Sequence, residues 1–121
     1  MSDWQVSTLV FVRDVDASIA FYVGKLGFTL NMRYEEDGVA QVAGVSRGET
    51  CPLLLTSQWP DRVGLGILYD GLGPAEFDAV RAELEGKGVS LKEGWWGKKL
   101  MVVEDPDGNQ IYFGDPHDDP A

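Results

Sequence analysis

At 121 residues with 44% hydrophobic content, the chain is long enough for one domain with a real core and too short for a catalytic domain plus a separate module. A net charge of −10 repels phosphates, which argues against nucleic acid and anionic lipid as partners, and no apolar run approaches the length of a membrane span. Cys51 is the single cysteine, so an internal disulfide is excluded; with MSDWQVSTLV lacking the pattern of an export signal, the expectation is a cytoplasmic protein.

Val6 to Arg13 (VSTLVFVR) predicts a buried strand rich in β-branched residues. Asp14 or Asp16 can cap the helix after it, whose apolar positions Val15, Ile19, Tyr22, Val23 and Leu26 recur at helical spacing until Gly27 ends it. Phe28 to Tyr34, Val39 to Val45 and Pro52 to Ser57 predict three further strands, joined by a turn at Glu35 to Gly38 and a polar connection at Arg47 to Thr50. A Pro-containing linker at Trp59 to Arg62 then precedes a restart of the same order. Leu65 to Tyr69 is a strand, Gly71 to Pro74 a breaker, and Ala75 to Lys87 a helix with Phe77, Val80 and Leu84 on one face. Gly88 ends that helix, and Val89 to Glu93 begins the next strand.

The stretch from Gly94 to Asp115, GWWGKKLMVVEDPDGNQIYFGD, closes the chain as a hairpin. Its turn is Asp105-Pro106-Asp107-Gly108, where proline sets its own φ and glycine tolerates a positive one, and β-branched and aromatic residues flank it. The whole therefore reads as an α+β chain of two βαβββ modules, at about 5–58 and 63–115, with an acidic tail over 116–121. Each half is too small to bury its own sheet face. Together they are expected to form a curved mixed sheet with helices outside and a concave, ligand-sized face inside.

Catalytic constellations are hard to find. Cys51 has no histidine near it in sequence and reads as a structural thiol, and the serines have no histidine base in the folded region. His117, the only histidine, sits among acids in the tail and reads as a solvated residue. Gly64-Leu65-Gly66 lacks the later lysine or glycine of a phosphate loop. No catalytic residue and no cofactor are assigned.

The pairing of VRDVDASIAFYVGKLGF with WWGKKLMVVEDPDGNQIYF resembles the vicinal oxygen chelate superfamily, which contains glyoxalase I, extradiol dioxygenases, fosfomycin-modifying enzymes and bleomycin resistance proteins. The resemblance runs from about Val6 to Asp115 and implies paired βαβββ modules, in agreement with the duplication above. It also implies where a divalent metal would be held: at Ser7, near Gly64, within Cys51 to Ser57, and at Tyr112. None of these carries a His, Glu or Gln, and neutral hydroxyls are poor donors for a site needing three or four ligands at about 2.0 to 2.3 Å. No metal is expected.

The branch without the metal is the bleomycin resistance proteins, acidic dimers that sequester a cationic, aromatic-tailed antibiotic at the subunit interface, and the hairpin resembles theirs most closely. That likeness implies a homodimer, a small-molecule partner such as a bleomycin-type glycopeptide, and Trp96 stacked on the ligand. In an extended segment Trp95 and Trp96 point to opposite sides, so at most one of them faces the cleft. Trp59, Tyr69, Tyr112, Tyr34 and Met101 complete the expected binding set, while Phe11, Phe21, Phe28 and Phe77 take core positions. Gly64 and Gly66, standing where the resistance proteins have bulkier residues, imply a roomier cleft. The alternative reading is a metal-dependent lyase, isomerase or dioxygenase of the superfamily with an atypical metal shell.

Overall fold

The computed structural model describes residues 6–118. The first module runs β1 (Thr8–Phe11), α1 (Val15–Gly24), β2 (Thr29–Glu36), β3 (Val39–Arg47) and β4 (Thr50–Thr56). After a 3-10 turn at Pro60–Arg62, the second repeats it as β5 (Ile67–Gly71), α2 (Pro74–Gly86), β6 (Lys92–Trp95), β7 (Lys99–Glu104) and β8 (Gln110–Gly114). Each module makes its own four-stranded mixed sheet, ordered β1-β4-β3-β2 and β5-β8-β7-β6. In both, the first and last strands pair in parallel and the rest antiparallel. Among the described residues no strand pairing joins the two sheets, and no helix is long and apolar enough to cross a membrane. The start of the expected first module and the end of the acidic tail lie outside the described residues.

Local chemistry accounts for the element ends. The Asp14 carboxylate accepts from the Ala17 amide at 3.0 Å and caps α1, while Pro74 opens α2 at a position that needs no donor. Asp37 and Gly38 both adopt positive φ, the geometry of a tight hairpin turn, so the turn expected at Glu35 to Gly38 narrows to these two residues and β2 runs on to Glu36. Gly27 and Gly88 share φ of +74° just beyond the two helices, a backbone trace of the internal repeat.

The sheets have unlike faces. On sheet 1, the row Val10, Leu55, Ala43, Arg33 faces α1, and Arg33 reaches Asp16 on that helix at 2.8 Å. On sheet 2, Leu68, Ile111, Val103, Phe113 and Met101 form the buried side. Phe77 and Leu84 of α2 and Val15, Tyr22 and Leu26 of the first module join them in one cluster, so the two modules share a single core.

The hairpin turn at 105–109 locks that arrangement. Asp105, buried, accepts from the Tyr22 hydroxyl at 3.0 Å, from the backbone amides of Asp107 and Asn109 at 2.9 Å, and from Asn109 Nδ2 at 2.9 Å. Asn109 also donates to the Phe11 carbonyl and accepts from the Gly66 amide. A Cβ on Gly64 would meet the Asp107 carbonyl at 2.5 Å, and one on Gly66 would meet Asn109 Oδ1 at 2.9 Å. These glycines therefore let the linker close on the turn and do not widen a ligand cleft. Burial and the facing Asp105 hold the Tyr22 phenol far above its ordinary range, so it serves as a donor only.

Candidate functional site

The other face of each sheet is left uncovered. On sheet 1 two rows cross it, Leu9, Leu54, Gly44, Met32 and Phe11, Thr56, Val42, Tyr34. Met32 and Leu54 both lie over Gly44, where a Cβ would meet Met32 Cγ at 3.0 Å. Leu9, Met32 and Tyr34 are each more than two-fifths exposed, which is unusual for large apolar side chains grouped on one strand face. Trp59 packs edge-on to Phe11 with centroids 5.6 Å apart, and the Arg62 guanidinium sits 5.6 Å from the Phe11 ring and 6.0 Å from that of Trp59.

On sheet 2 the matching face carries Ile67, Tyr69, Tyr112 and Val102. The Tyr69 hydroxyl end lies across Gly114, whose missing Cβ makes room for it. Trp96, just after β6, meets Tyr69 edge-on with centroids 5.5 Å apart, and both rings remain at least half exposed. Tyr112 donates to Gln110 Oε1 at 3.0 Å. Trp95 pairs in register with Lys99, on the opposite side of the strand from the Gly94–Leu100 row.

Five of the six residues expected to bind ligand thus lie on the uncovered faces: Tyr34 on sheet 1 with Trp59 at its edge, and Tyr69, Tyr112 and Trp96 on sheet 2. Met101 does not. It shares a row with Phe113 and Asp70 and belongs to the core cluster, because the parity of β7 turns Leu100 and Val102, themselves buried, toward the other face. Phe11 is corrected in the other direction, from core to uncovered face. Leu9 and Met32 were missed, although the alternation of Leu30, Met32 and Tyr34 with Asn31, Arg33 and Glu35 is written in the chain. His117 places Nε2 2.9 Å from Asp78 Oδ1 and its ring against Phe77, so it fastens the C-terminal 3-10 turn to α2.

Charge on these faces is mixed, unlike that of the whole chain. Glu104 is held by Lys92 at 2.6 Å, Glu36 approaches the Tyr34 hydroxyl at 3.4 Å, and Arg62 lies over the Phe11–Trp59 pair. The donor set does not suit a divalent metal. Ser7 precedes β1, Gly64 lies in the linker before β5, and the uncovered positions of β4, β5 and β8 are Leu54, Thr56, Ile67, Tyr69, Gln110 and Tyr112. Among the described residues no group of three or more His, Cys, Asp or Glu side chains could hold a metal ion.

This architecture defines a class of duplicated α+β proteins built from two four-stranded mixed sheets, each with its helix. The profile described as Glyoxalase/Bleomycin resistance protein/Dioxygenase superfamily matches residues 4–113, and the chain belongs to that superfamily. Its fold is shared with TnmS3, an antibiotic binding protein from Streptomyces sp. CB03234, at 26% identity over 94% of this chain and 97% of that one, with a TM-score of 0.72. A glyoxalase/bleomycin resistance protein from Catenulispora acidiphila is similar in fold at 24% identity, 93% and 97% coverage and a TM-score of 0.73. So is lactoylglutathione lyase from Agrobacterium tumefaciens, at 20% identity, 93% coverage of each chain and a TM-score of 0.67. No protein of curated function matches the sequence.

Proposed function

We propose that this chain is a metal-independent binding protein that sequesters an aromatic small molecule between the uncovered sheet faces of a homodimer. The observation that carries the reading is the exposed Tyr69–Trp96 pair on sheet 2 beside a sheet 1 face whose Leu9, Met32 and Tyr34 are exposed. Among the described residues the aromatic contacts of the two faces form separate groups, Phe11 with Trp59 and Tyr69 with Trp96, and none joins the sheets. A second copy would bring sheet 1 of one chain over sheet 2 of the other and give two equivalent troughs. The likeness to an antibiotic binding protein supports an antibiotic as ligand; a bleomycin-type glycopeptide is one candidate.

Stacking contributes about 0.5 to 1.5 kcal/mol per aromatic pair beyond area burial. With acid and base balanced on the faces, stacking and not charge is the main source of affinity, and a cationic tail on the ligand gains only from the distant net charge. Titration of a planar aromatic antibiotic should quench tryptophan fluorescence with one ligand per chain. Trp96→Ala should weaken binding about tenfold or more, the size expected of a hot-spot aromatic. Equal affinity in the variant would refute the assignment of Trp96, and absence of quenching at high micromolar ligand would refute the trough.

A further inference from the structure

A cleft of about 1160 Å³ lies between the modules and beneath α2, meeting the open face of sheet 2 only along β5, at Ile67 and Tyr69. Its apolar wall is made by Leu53 and Phe28 from the first module, Ile111 and Phe113 from sheet 2, and Val80 and Leu84 from α2, and charged side chains share the rest of the lining. That volume is at or above the roughly 300 to 1,000 Å³ of small-molecule sites. Among the charged wall residues, Asp70 stands on the core side of sheet 2. Asp70 is on the Phe113–Met101 row of sheet 2, so its carboxylate lies on the side where its row mates are buried core.

Among the described residues, no hydrogen bond or ion pair ends on Asp70. The basic groups in the cleft are already used. Arg47 makes a double contact with Glu83, at 2.8 and 2.9 Å, and donates to the Leu26 carbonyl, while Lys87 lies 3.7 Å from the same Glu83. Against Arg47 and Lys87 stand three carboxylates, Asp70, Glu76 and Glu83, so the cleft keeps one negative charge in excess, with Asp70 its partly buried and unbonded acid. Burial raises the Asp70 carboxyl above its ordinary value, with Arg47 opposing, so the carboxylate is destabilised where it stands and would gain from a cation brought to it. A divalent metal would lack ligands, since the other candidate donor nearby, Cys51, has its thiol shifted upward by burial.

We propose that this cleft is a second binding site, separate from the aromatic trough, that takes an ammonium-bearing small molecule with an apolar body, its nitrogen against Asp70. Tyr69 and Asp70 are successive residues of β5, so one strand presents a ring to the trough and a carboxylate to the cleft. The cleft site stands or falls independently of the trough, because its reporter and its probes differ.

Cys51 lines the cleft and is the only cysteine, which makes its alkylation by iodoacetamide a local footprint. The probes are 2-naphthylmethylamine and its uncharged counterpart 2-naphthylmethanol. Saturating amine should slow Cys51 alkylation at least tenfold, and by calorimetry the amine should bind about tenfold tighter than the alcohol. Asp70→Asn should erase that preference, whereas Trp96→Ala should leave it intact. If Asp70→Asn fails to fold, Ala79→Trp at an exposed position on the mouth of the cleft should abolish the protection instead. Absence of protection in the native chain, equal binding of the two probes, an amine preference that survives in folded Asp70→Asn, or protection that survives in folded Ala79→Trp overturns the site.

Discussion

The 105–109 turn, made of small polar residues, and the uncovered sheet faces, made of large apolar and aromatic ones, solve opposite problems. At the turn, Asp105 collects four donors, Asn109 bridges to β1 and the linker, and Gly64 and Gly66 admit the turn without a gap. On the faces, Leu9, Met32, Tyr34, Tyr69 and Trp96 remain in contact with water. A region that completes its hydrogen bonds and its packing inside one chain is there for stability. One that leaves grouped aromatics unfinished is waiting for something outside the chain.

The largest effect that separates the two should come from the turn. Asp105→Ala strands the Tyr22 hydroxyl and three nitrogen donors at once and should cost about 3 kcal/mol or more in urea unfolding. Tyr22→Phe, which removes one donor and leaves three, should cost about 1 kcal/mol. A loss under about 0.5 kcal/mol for Asp105→Ala would mean that the turn does not hold the modules together.

On the faces the pattern should reverse. Met32→Glu should leave chain stability within about 0.5 kcal/mol, as exposed substitutions do, yet raise the dimer dissociation constant at least tenfold in sedimentation equilibrium. Unchanged self-association would break the dimer part of the comparison.

Charge should matter less than either. The Arg47 hydrogen bond holds the Glu83 carboxyl below its ordinary value of 4.5. Its folded value being the lower one, the stabilisation is fully present above the unfolded value and is lost as pH falls through the folded one. Glu83→Gln should therefore flatten part of the acid limb below about pH 4.5 and cost at most about 1 kcal/mol at pH 7, since both partners are one-third exposed. Ligand affinity in the trough should change less than about threefold between roughly 50 and 500 mM salt for a neutral aromatic, by the same screening argument. A steep salt dependence would show that charge, and not stacking, holds the ligand.

Much of this comparison was legible in the chain. The duplication, the helix stops at Gly27 and Gly88, and the Asp14 cap follow from spacing and turn chemistry. The faces were read less well, because strand parity needs a partner before it has a sign. Met101 and Val102 are neighbours of similar character, and only their pairing with Phe113 and Tyr112 tells which one faces the shared core. Phe11 fell to the wrong side for the same reason. Gly64 and Gly66 looked like room for a ligand because their neighbour, the 105–109 turn, is some forty residues away in sequence and invisible to local reasoning.

The central claim is that ligand is held by side-chain contact without a metal. Calorimetric titration of a planar aromatic antibiotic into protein dialysed against a chelator, then repeated with zinc, nickel or manganese restored, tests it directly. The same affinity and one ligand per chain are predicted in every case; binding that emerges only when the metal is returned would contradict the claim.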